Sequence, residues 1–519
     1  MSRNCETRDF RKMAQVNPDD PRYADLQMRG YNRRFVGAPG SVHVVGDTDE
    51  VVDVVNSAVR QGRRIAVRSG GHCAEGLVDN PEVDVVIDLS LMDSVSYDPA
   101  RRAFAAQAGV RLGRLYRVLD MGWGVTLPGG ACPEVGVGGH VTGGGHGVLS
   151  RLHGYVSDHL YGIEVVVVDD NGTAKAVVAT REPDDPNRDL WWAHTGGGGG
   201  NFGVVTRFWF RAPGADGTDP ATLLPRRPAR HVSAAAMWQW ADFDEDSFAA
   251  LLNNFMAWSA RNSAPDTSTA ALHAEVAVLH RDSGMLMLTG RVDPSVPGAA
   301  KLLDAYLSEV TAGLPEPSTT TSEDEPWLYK VLNLPDAGEA FGLEASRLRS
   351  KIKAAYLRKP LDAEQVRTVY RYLTDVDYGY PAAGLMIAAW GGRMNALAPA
   401  DTAVPQRDSI MQLSLINSWN DQDADEKHLT WIRRFYRDVF AATGGVPVHD
   451  DRTGGSYINW PDTDLMDPDW NTSGVPWSTI YYGDNYPKLQ QVKARWDPCG
   501  VFRHALSIEP PQDNRQGAP

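Results

Sequence analysis

The chain has 519 residues, 42% hydrophobic and 23% charged, which is ordinary globular composition with enough apolar material for two to four domains. Asp and Glu outnumber Lys and Arg by 66 to 51, giving a formal net charge of −15, the opposite of the balance that phosphate-backbone binding requires, so nucleic acid is excluded as the main partner. No apolar run approaches the roughly 18 residues of a membrane span, and the N-terminal MSRNCETRDFRKMAQ lacks a secretory h-region. The four cysteines, Cys5, Cys73, Cys132 and Cys499, form no C-x-x-C, which argues against a disulfide scaffold and a zinc module. The isolated N-x-[ST] matches at Asn171 and Asn471 carry little without a signal peptide. A soluble, cytoplasmic protein without a metal site is expected.

Asp47 to Gly62 (DTDEVVDVVNSAVRQG) is the first periodic segment, with Val51, Val55 and Ala58 on one helical face, Asp47 or Thr48 as cap and Gly62 at the stop. Residues 64–68 (RIAVR) read as a buried strand running into Ser69-Gly70-Gly71-His72, and 83–89 and 104–108 read as further strands. Asn171-Gly172 between the β-rich runs 162–170 and 173–179 is a hairpin signal. Residues 204–211 (VVTRFWFR) form another strand, and 213–228, rich in Pro and Gly, mark a domain joint. Beyond it, helical periodicity at 246–260, 361–374 and 427–442 alternates with strands at 272–279, 285–291, 384–390 and 409–415, predicting an α+β domain with a largely antiparallel sheet.

Fifty glycines are unevenly spread, with GGACPEVGVGGHVTGGGHG at 129–147 and GGGGGNFG at 196–203. Val, Cys, His and Phe inside these runs, and regular elements around them, separate them from polar flexible linkers. The strict G-x-G-x-x-G at Gly198–Gly203 is followed by a strand, whereas a Rossmann fingerprint requires a helix there. G-x-x-x-x-G-K-[ST], H-E-x-x-H and G-x-S-x-G are absent. Glycine turns can still expose successive N–H groups as an anion-binding nest. Two such loops contain histidines, and Cys132 lies in one too glycine-rich for a packed core.

These residues resemble the berberine-bridge-enzyme-like flavoprotein oxidases of the vanillyl-alcohol oxidase or PCMH-type FAD-binding superfamily. The matching segments are Arg68-Ser69-Gly70-Gly71-His72, Gly129-Gly130-Ala131-Cys132, Val135-Gly136-Val137-Gly138-Gly139-His140, and Asp189-Leu190-Trp191-Trp192-Ala193 with GGGGGNFGVVT. Further matches are Ala389-Trp390-Gly391-Gly392-Arg393-Met394, Ser456–Asp462, and Tyr481–Leu489 with Trp496-Asp497-Pro498, so the resemblance spans about residues 31–508. It implies FAD bound covalently twice, through the flavin 8α-methyl to His72 and through C6 to Cys132. Cofactor contacts are implied for Arg68, Ser69, Gly70, Gly71, Val137, Gly138, Gly139, His140, Gly143, Gly144, Asp158, Gly203, Val205, Tyr482 and Asn485, although Asp158 also reads as an ordinary turn residue.

The implied architecture is an α+β, two-domain PCMH-type FAD-binding fold. Residues 1–212 and the returning C-terminal segment 456–519 would form the FAD domain. Residues 213–455 would form an antiparallel-sheet substrate domain backed by helices. The implied reaction is oxidation of a secondary alcohol or hemiacetal of a sugar or natural product, by hydride transfer to flavin N5 with O2 reduced to H2O2. Oxidative cyclisation or C–C bond formation is the alternative on the same cofactor, and a non-enzymatic flavin-pocket carrier is a third reading. Tyr457 is the candidate base, helped by His146; the competing readings are a packing tyrosine and a histidine that contacts FAD or backbone. Departures from the pattern are Trp460 for Tyr, Leu506 for Gln, His146 where some members have Tyr, and no carboxylate on 384–390. A small-molecule substrate and O2 are the expected partners, with the oligomeric state left open.

Overall fold

Burial demands set the first layer. In the computed structural model, which describes residues 13–334 and 342–511, the helix Thr48–Arg60 buries Val51, Val54, Val55 and Ala58. Asp47 caps it, accepting from the Glu50 N–H at 2.9 Å, while the Glu50 carboxylate reaches back to the Gly46 N–H at 2.7 Å, so orphan donors at the helix start are satisfied. The helix connects two strands of a sheet formed by β1 (Ala14–Val16), β2 (Ser41–Val44), β3 (Ile65–Arg68) and β4 (Val85–Asp88) in the order β1-β2-β4-β3. β2, β4 and β3 are parallel, as a helical crossover allows. Cys5 lies outside the described residues.

The second sheet, ordered β5-β6-β9-β7-β8, is antiparallel and comprises β5 (Val95–Asp98), β6 (Ala103–Gln107), β7 (Leu160–Val168), β8 (Ala174–Thr180) and β9 (Val204–Phe210). The Asn171-Gly172 hairpin forms, but its turn is longer than a two-residue loop. Val168 pairs with Ala174, and the Asp169 carboxylate accepts from the Asn171 and Thr173 N–H groups at 3.0 and 3.1 Å. That carboxylate substitutes for the missing ladder partners.

Past the 213–228 joint comes a seven-stranded antiparallel sheet, ordered β13-β10-β12-β11-β15-β16-β14. It comprises β10 (Arg230–Gln239), β11 (Leu272–Leu279), β12 (Met285–Val292), β13 (Thr319–Pro326), β14 (Arg349–Leu357), β15 (Ala383–Ala389) and β16 (Met411–Trp419). Helices Glu245–Arg261, Ala299–Val310, Ala363–Leu373 and Asp425–Val439 pack together against it. The sequence reading missed β1, β2, β5, β10, β13 and β14 and, among the longer helices, Leu112–Trp123, Ala299–Val310 and Tyr486–Trp496. β14 explains its own omission. Lys351 and Lys353 make it look polar, yet both are buried, paired at 2.7 Å with the two oxygens of Asp462.

That ion pairing also fixes the chain's return. Asp464 pairs with Lys353 and Arg433 at 2.8 Å each, and Glu75 pairs with Lys351. The final helix, Tyr486–Trp496, packs on Arg188–Ala193. Its buried Lys493 donates to the carbonyls of Asn201 and Phe502 at 2.5 and 2.6 Å and to Asp497 at 2.6 Å. The C-terminal segment is thereby stitched to the glycine run after residue 195. Among the described residues no helix is long and apolar enough to cross a membrane.

Candidate active site

A cavity of about 620 Å³ lies between the glycine loops and the sheet of β11–β16, within the range of small-molecule sites. Its first wall is backbone. The Ser69–His72 turn leaves the end of β3 and meets the 130–140 segment so closely that a Cβ at Gly136 would stand 2.2 Å from Gly70 N. Ser69 locks the junction, donating to the Ala108 carbonyl at 2.6 Å and accepting from the Gly138 N–H at 3.3 Å. Gly139 also lines the cavity, and a Cβ there would meet no protein atom within 4 Å, so it would stand in the ligand space itself. This cradle suits a cofactor that must approach the backbone closely.

Both proposed anchors line this wall. The His72 ring stacks on Tyr31, centroids 4.7 Å apart and 20° from parallel, and Cys132 is half-buried on the neighbouring loop. The competing thiol, Cys73, donates to the Glu75 carbonyl at 3.1 Å, and burial pushes its pKa up to about 11. It is therefore a poor nucleophile. His140 accepts from the Gly130 N–H at 3.0 Å, and burial lowers its pKa to about 4, so the neutral ring braces the loop bearing Cys132.

Arg68, Ser69, Gly70, Gly71, Gly138, Gly203 and Val205 also reach the cavity. The Arg68 guanidinium is committed to Asp88 at 3.1 Å and Asp79 at 3.2 Å. The remaining sequence candidates do not line the cavity. Asp158 is held by Arg407 at 2.7 and 3.1 Å and accepts from the Tyr155 N–H. Tyr482 donates to the Gly197 carbonyl at 2.9 Å, and Asn485 to those of Pro399 and Thr402 at 2.8 and 3.1 Å. Val137 is core; Gly143 and Gly144 leave room for Asn459 and Val404. These residues hold the loops in place.

Tyr457 and His146 come together at the junction of the two walls, ring centroids 4.7 Å apart. Tyr457 is delivered by the return from β14: Tyr356 N–H donates to the Gly455 carbonyl at 2.8 Å, and Ser456 N–H to that of Ile480 at 3.0 Å. Its hydroxyl accepts from the Asn459 amide at 3.0 Å, yet burial outweighs that bond and raises its pKa well above the usual phenol range. His146 packs edge-on against Trp390 at 4.4 Å and has the Gln412 amide 3.4 Å from its Nε2. Burial, with His140 and His273 nearby, holds its pKa well below 6.5. A protonated phenol thus sits beside a neutral imidazole, and burial disfavours the charged form of each.

The sequence reading did not assign roles to Tyr31, Asn459, Trp390 or Gln412, nor to the polar His273, Glu275 and Arg291 on the opposite wall. Trp390 and Asn459 fell inside the matched segments and could have been flagged. Tyr31, in a bend, needed its packing on His72, and the others needed the strand register.

The FAD binding domain family matches residues 39–177, and the berberine and berberine-like family matches residues 456–509. With the relatives that follow, these two matches at either end of the chain define the class: the protein is an FAD-linked oxidoreductase acting on a small molecule. It is 51% identical over 500 residues to the aclacinomycin-N/aclacinomycin-A oxidase of Streptomyces galilaeus, covering 96% of this chain and 90% of that protein. It is 29% identical over 535 residues to the hexose oxidase of Chondrus crispus, covering 94% and 93%. Among solved structures, aclacinomycin oxidoreductase superposes with a TM-score of 0.92 at 49% identity, covering 96% of this chain and all of that one. A glycopeptide hexose oxidase complexed with teicoplanin gives 0.91 at 47% identity, covering 96% and 99%. The chain belongs to the berberine bridge enzyme-like family of FAD-linked oxidases.

Proposed function

We propose that this protein oxidises a secondary alcohol or hemiacetal of a sugar or sugar-bearing natural product, with FAD tethered to both His72 and Cys132 and O2 as the electron acceptor. The observation that carries the reading is the Tyr457–His146 pair at the mouth between the glycine cradle and the sheet. The FAD domain would comprise 1–212 and 456–519, with 213–455 supplying the substrate wall. The chemistry FAD supplies when bound is hydride acceptance at N5, with reoxidation by O2 to H2O2.

The chain's own residues handle the proton. Tyr457 hydrogen-bonds the substrate hydroxyl and receives its proton as its own passes to His146, which lies with its ring centroid 4.7 Å away and which burial keeps neutral until that proton arrives. The Asn459 amide steadies the phenolic oxygen throughout. Trp390 and Gln412 hold the imidazole in place. Support for two anchors comes from the position of His72 and Cys132 on adjoining glycine loops, with Cys73 turned towards Glu75. A doubly tethered cofactor does not exchange, so turnover depends on a diffusing oxidant.

Intact-protein mass spectrometry after denaturation tests the anchors. FAD mass is expected to stay on the chain, and to stay on the Cys132→Ala chain through His72; free FAD released by acid from the unmodified protein overturns the tethering. Aerobic turnover should release H2O2 and a product two hydrogens lighter than the substrate. A reduced enzyme that persists in air makes it a dehydrogenase, and a product with a new ring or C–C bond makes it a cyclase.

A further inference from the structure

Three polar side chains on the sheet wall have no part in the proton transfer. Antiparallel pairing sets His273 directly opposite Arg291, and Glu275 opposite Thr289 on one side and Ala388 on the other. Directly opposed residues share a sheet face, and here that face lines the cavity. Glu275 accepts from Arg291 Nη1 at 2.9 Å and from His273 Nε2 at 3.2 Å. The Glu275 and Arg291 side chains keep 16% and 27% of their surface open, so both can meet a ligand.

The same row continues through Ala388 to Gln412 on β16. At a strand spacing of about 4.8 Å, Glu275 and Gln412 are about 10 Å apart across the sheet. Only the Ala388 methyl stands between them. The result is a notch with the Glu275–Arg291 pair at one end and Gln412 at the other, the Gln412 amide lying against His146. Its span suits a pyranose ring with substituents on both edges.

The pairing decides what kind of group is read. A lone carboxylate here would select a cation. With Arg291 bound to it the pair carries no net charge, and it offers both oxygen acceptors and guanidinium donors. Neighbouring hydroxyls, each both donor and acceptor, match that combination. We propose that Glu275 and Arg291 are specificity-determining residues that bind adjacent hydroxyls of a sugar ring lying across Ala388, so that the opposite edge of the ring is presented to Tyr457 and His146. This rests on the oxidase reading of the same cavity.

The test uses the flavin-loaded full-length enzyme with D-glucose, D-galactose and their singly deoxygenated analogues. Sugar binding is read from the perturbation of the flavin spectrum, and turnover from H2O2 release. The wild type should bind at least one parent sugar at least tenfold more tightly than one of its deoxy analogues. Glu275→Gln, which keeps the shape and removes the charge, should weaken parent-sugar binding at least tenfold and erase that discrimination, with the effect on KM rather than kcat. Arg291→Lys keeps the charge but loses the fork, so a merely structural pair would be rescued by it and a hydroxyl-reading pair would not. Ala388→Leu should fill the notch and abolish binding while flavin content and Tm are retained.

Unchanged affinity and discrimination in Glu275→Gln, full rescue in Arg291→Lys, undiminished binding in Ala388→Leu, or no spectral response of the wild type to any of these sugars each overturns the proposal. If H2O2 is released but is indifferent to Glu275, the subsite fails and the oxidase reading stands. Sugar binding that depends on Glu275 without flavin reduction leaves the subsite standing and removes the oxidase reading.

Discussion

The two walls of the cavity are made of different material. The cradle of Ser69–His72 and residues 130–140 presents backbone, whereas the face of β11, β12, β15 and β16 presents Glu275, Arg291, Met386 and Gln412. A backbone wall offers N–H groups and a shape that tolerates little substitution at its glycines, because an added Cβ at Gly70, Gly71 or Gly136 would clash with backbone at 2.2–2.4 Å. A sheet wall offers alternate side chains that can change without disturbing the ladder beneath them. The first arrangement suits a ligand that never varies, and the second one that does. Cofactor and substrate recognition are thus separated by construction.

The sharpest way to break this contrast is to add one methyl to the backbone wall. At Gly136 it would stand 2.2 Å from Gly70 N and 2.3 Å from Ser69 Oγ, so the two loops must part. Gly136→Ala is therefore expected to lose flavin and to lower Tm by several degrees, given that overpacking costs about 1–3 kcal/mol, and sometimes more, and that each kcal/mol shifts Tm by about 2–4 °C in a large domain. At Gly139 the same methyl meets no protein atom. Gly139→Ala should fold with near-normal far-ultraviolet circular dichroism yet bind little flavin. If both variants load flavin normally, the cradle is not the cofactor wall.

A smaller effect is expected where the walls meet. Tyr457→Phe should slow substrate-driven flavin reduction about 100- to 10,000-fold, with flavin attachment intact. His146→Phe should slow it less and weaken substrate affinity comparably or more. Because burial keeps His146 neutral well below pH 6.5, wild-type reduction should show no inflection near pH 6.5, where an ordinary histidine titrates. Anaerobic rapid mixing across pH 5.5–8 measures both. A Tyr457→Phe variant reducing at the wild-type rate would move the proton acceptor to His146 or to the substrate itself.

The contrast between the walls also explains what the sequence disclosed. Glycine is its own signal: runs such as GGACPEVGVGGHVTGGGHG have few physical explanations, so loops that approach a ligand closely could be read from them, and the family resemblance then singled out His72 and Cys132. The hairpin at Asn171-Gly172 and the helix Thr48–Arg60 were legible for the same reason, since their residues act locally. The sheet wall was hidden because Glu275 becomes a site residue only when β11 lies between β12 and β15 in one register. β14 was hidden because the carboxylates that permit Lys351 and Lys353 to be buried lie more than a hundred residues away, in Asp462 and Asp464. Asp158 shows the converse. A motif position can mark a residue whose partner, Arg407, makes it an anchor of loops rather than a contact of the cavity.

The smallest expected effect distinguishes the walls by acid. On the backbone wall His140 must be neutral, because its Nε2 accepts from the Gly130 N–H, and burial sets its folded pKa at about 4. His194, buried at the same cavity, is also lowered to about 4 by burial. In the unfolded chain both titrate near 6.5. Between those values the unfolded state binds the extra protons, so their contribution is fully present above pH 6.5 and is lost as pH falls towards 4. Each such histidine removes up to about 1.4 kcal/mol per pH unit in that window. On the sheet wall burial raises the Glu275 pKa, but Arg291 and His273 outweigh it and hold it well below the carboxylate range, so the Glu275 carboxylate stays ionised throughout this window. Chemical denaturation at pH 7.5, 6.5 and 5.5 should therefore show falling stability. His140→Gln keeps an acceptor for the Gly130 N–H without a titrating group, and should reduce proton uptake on unfolding by about one between pH 6 and 5. An identical pH slope in that variant would mean that His140 does not brace the loop in its neutral form.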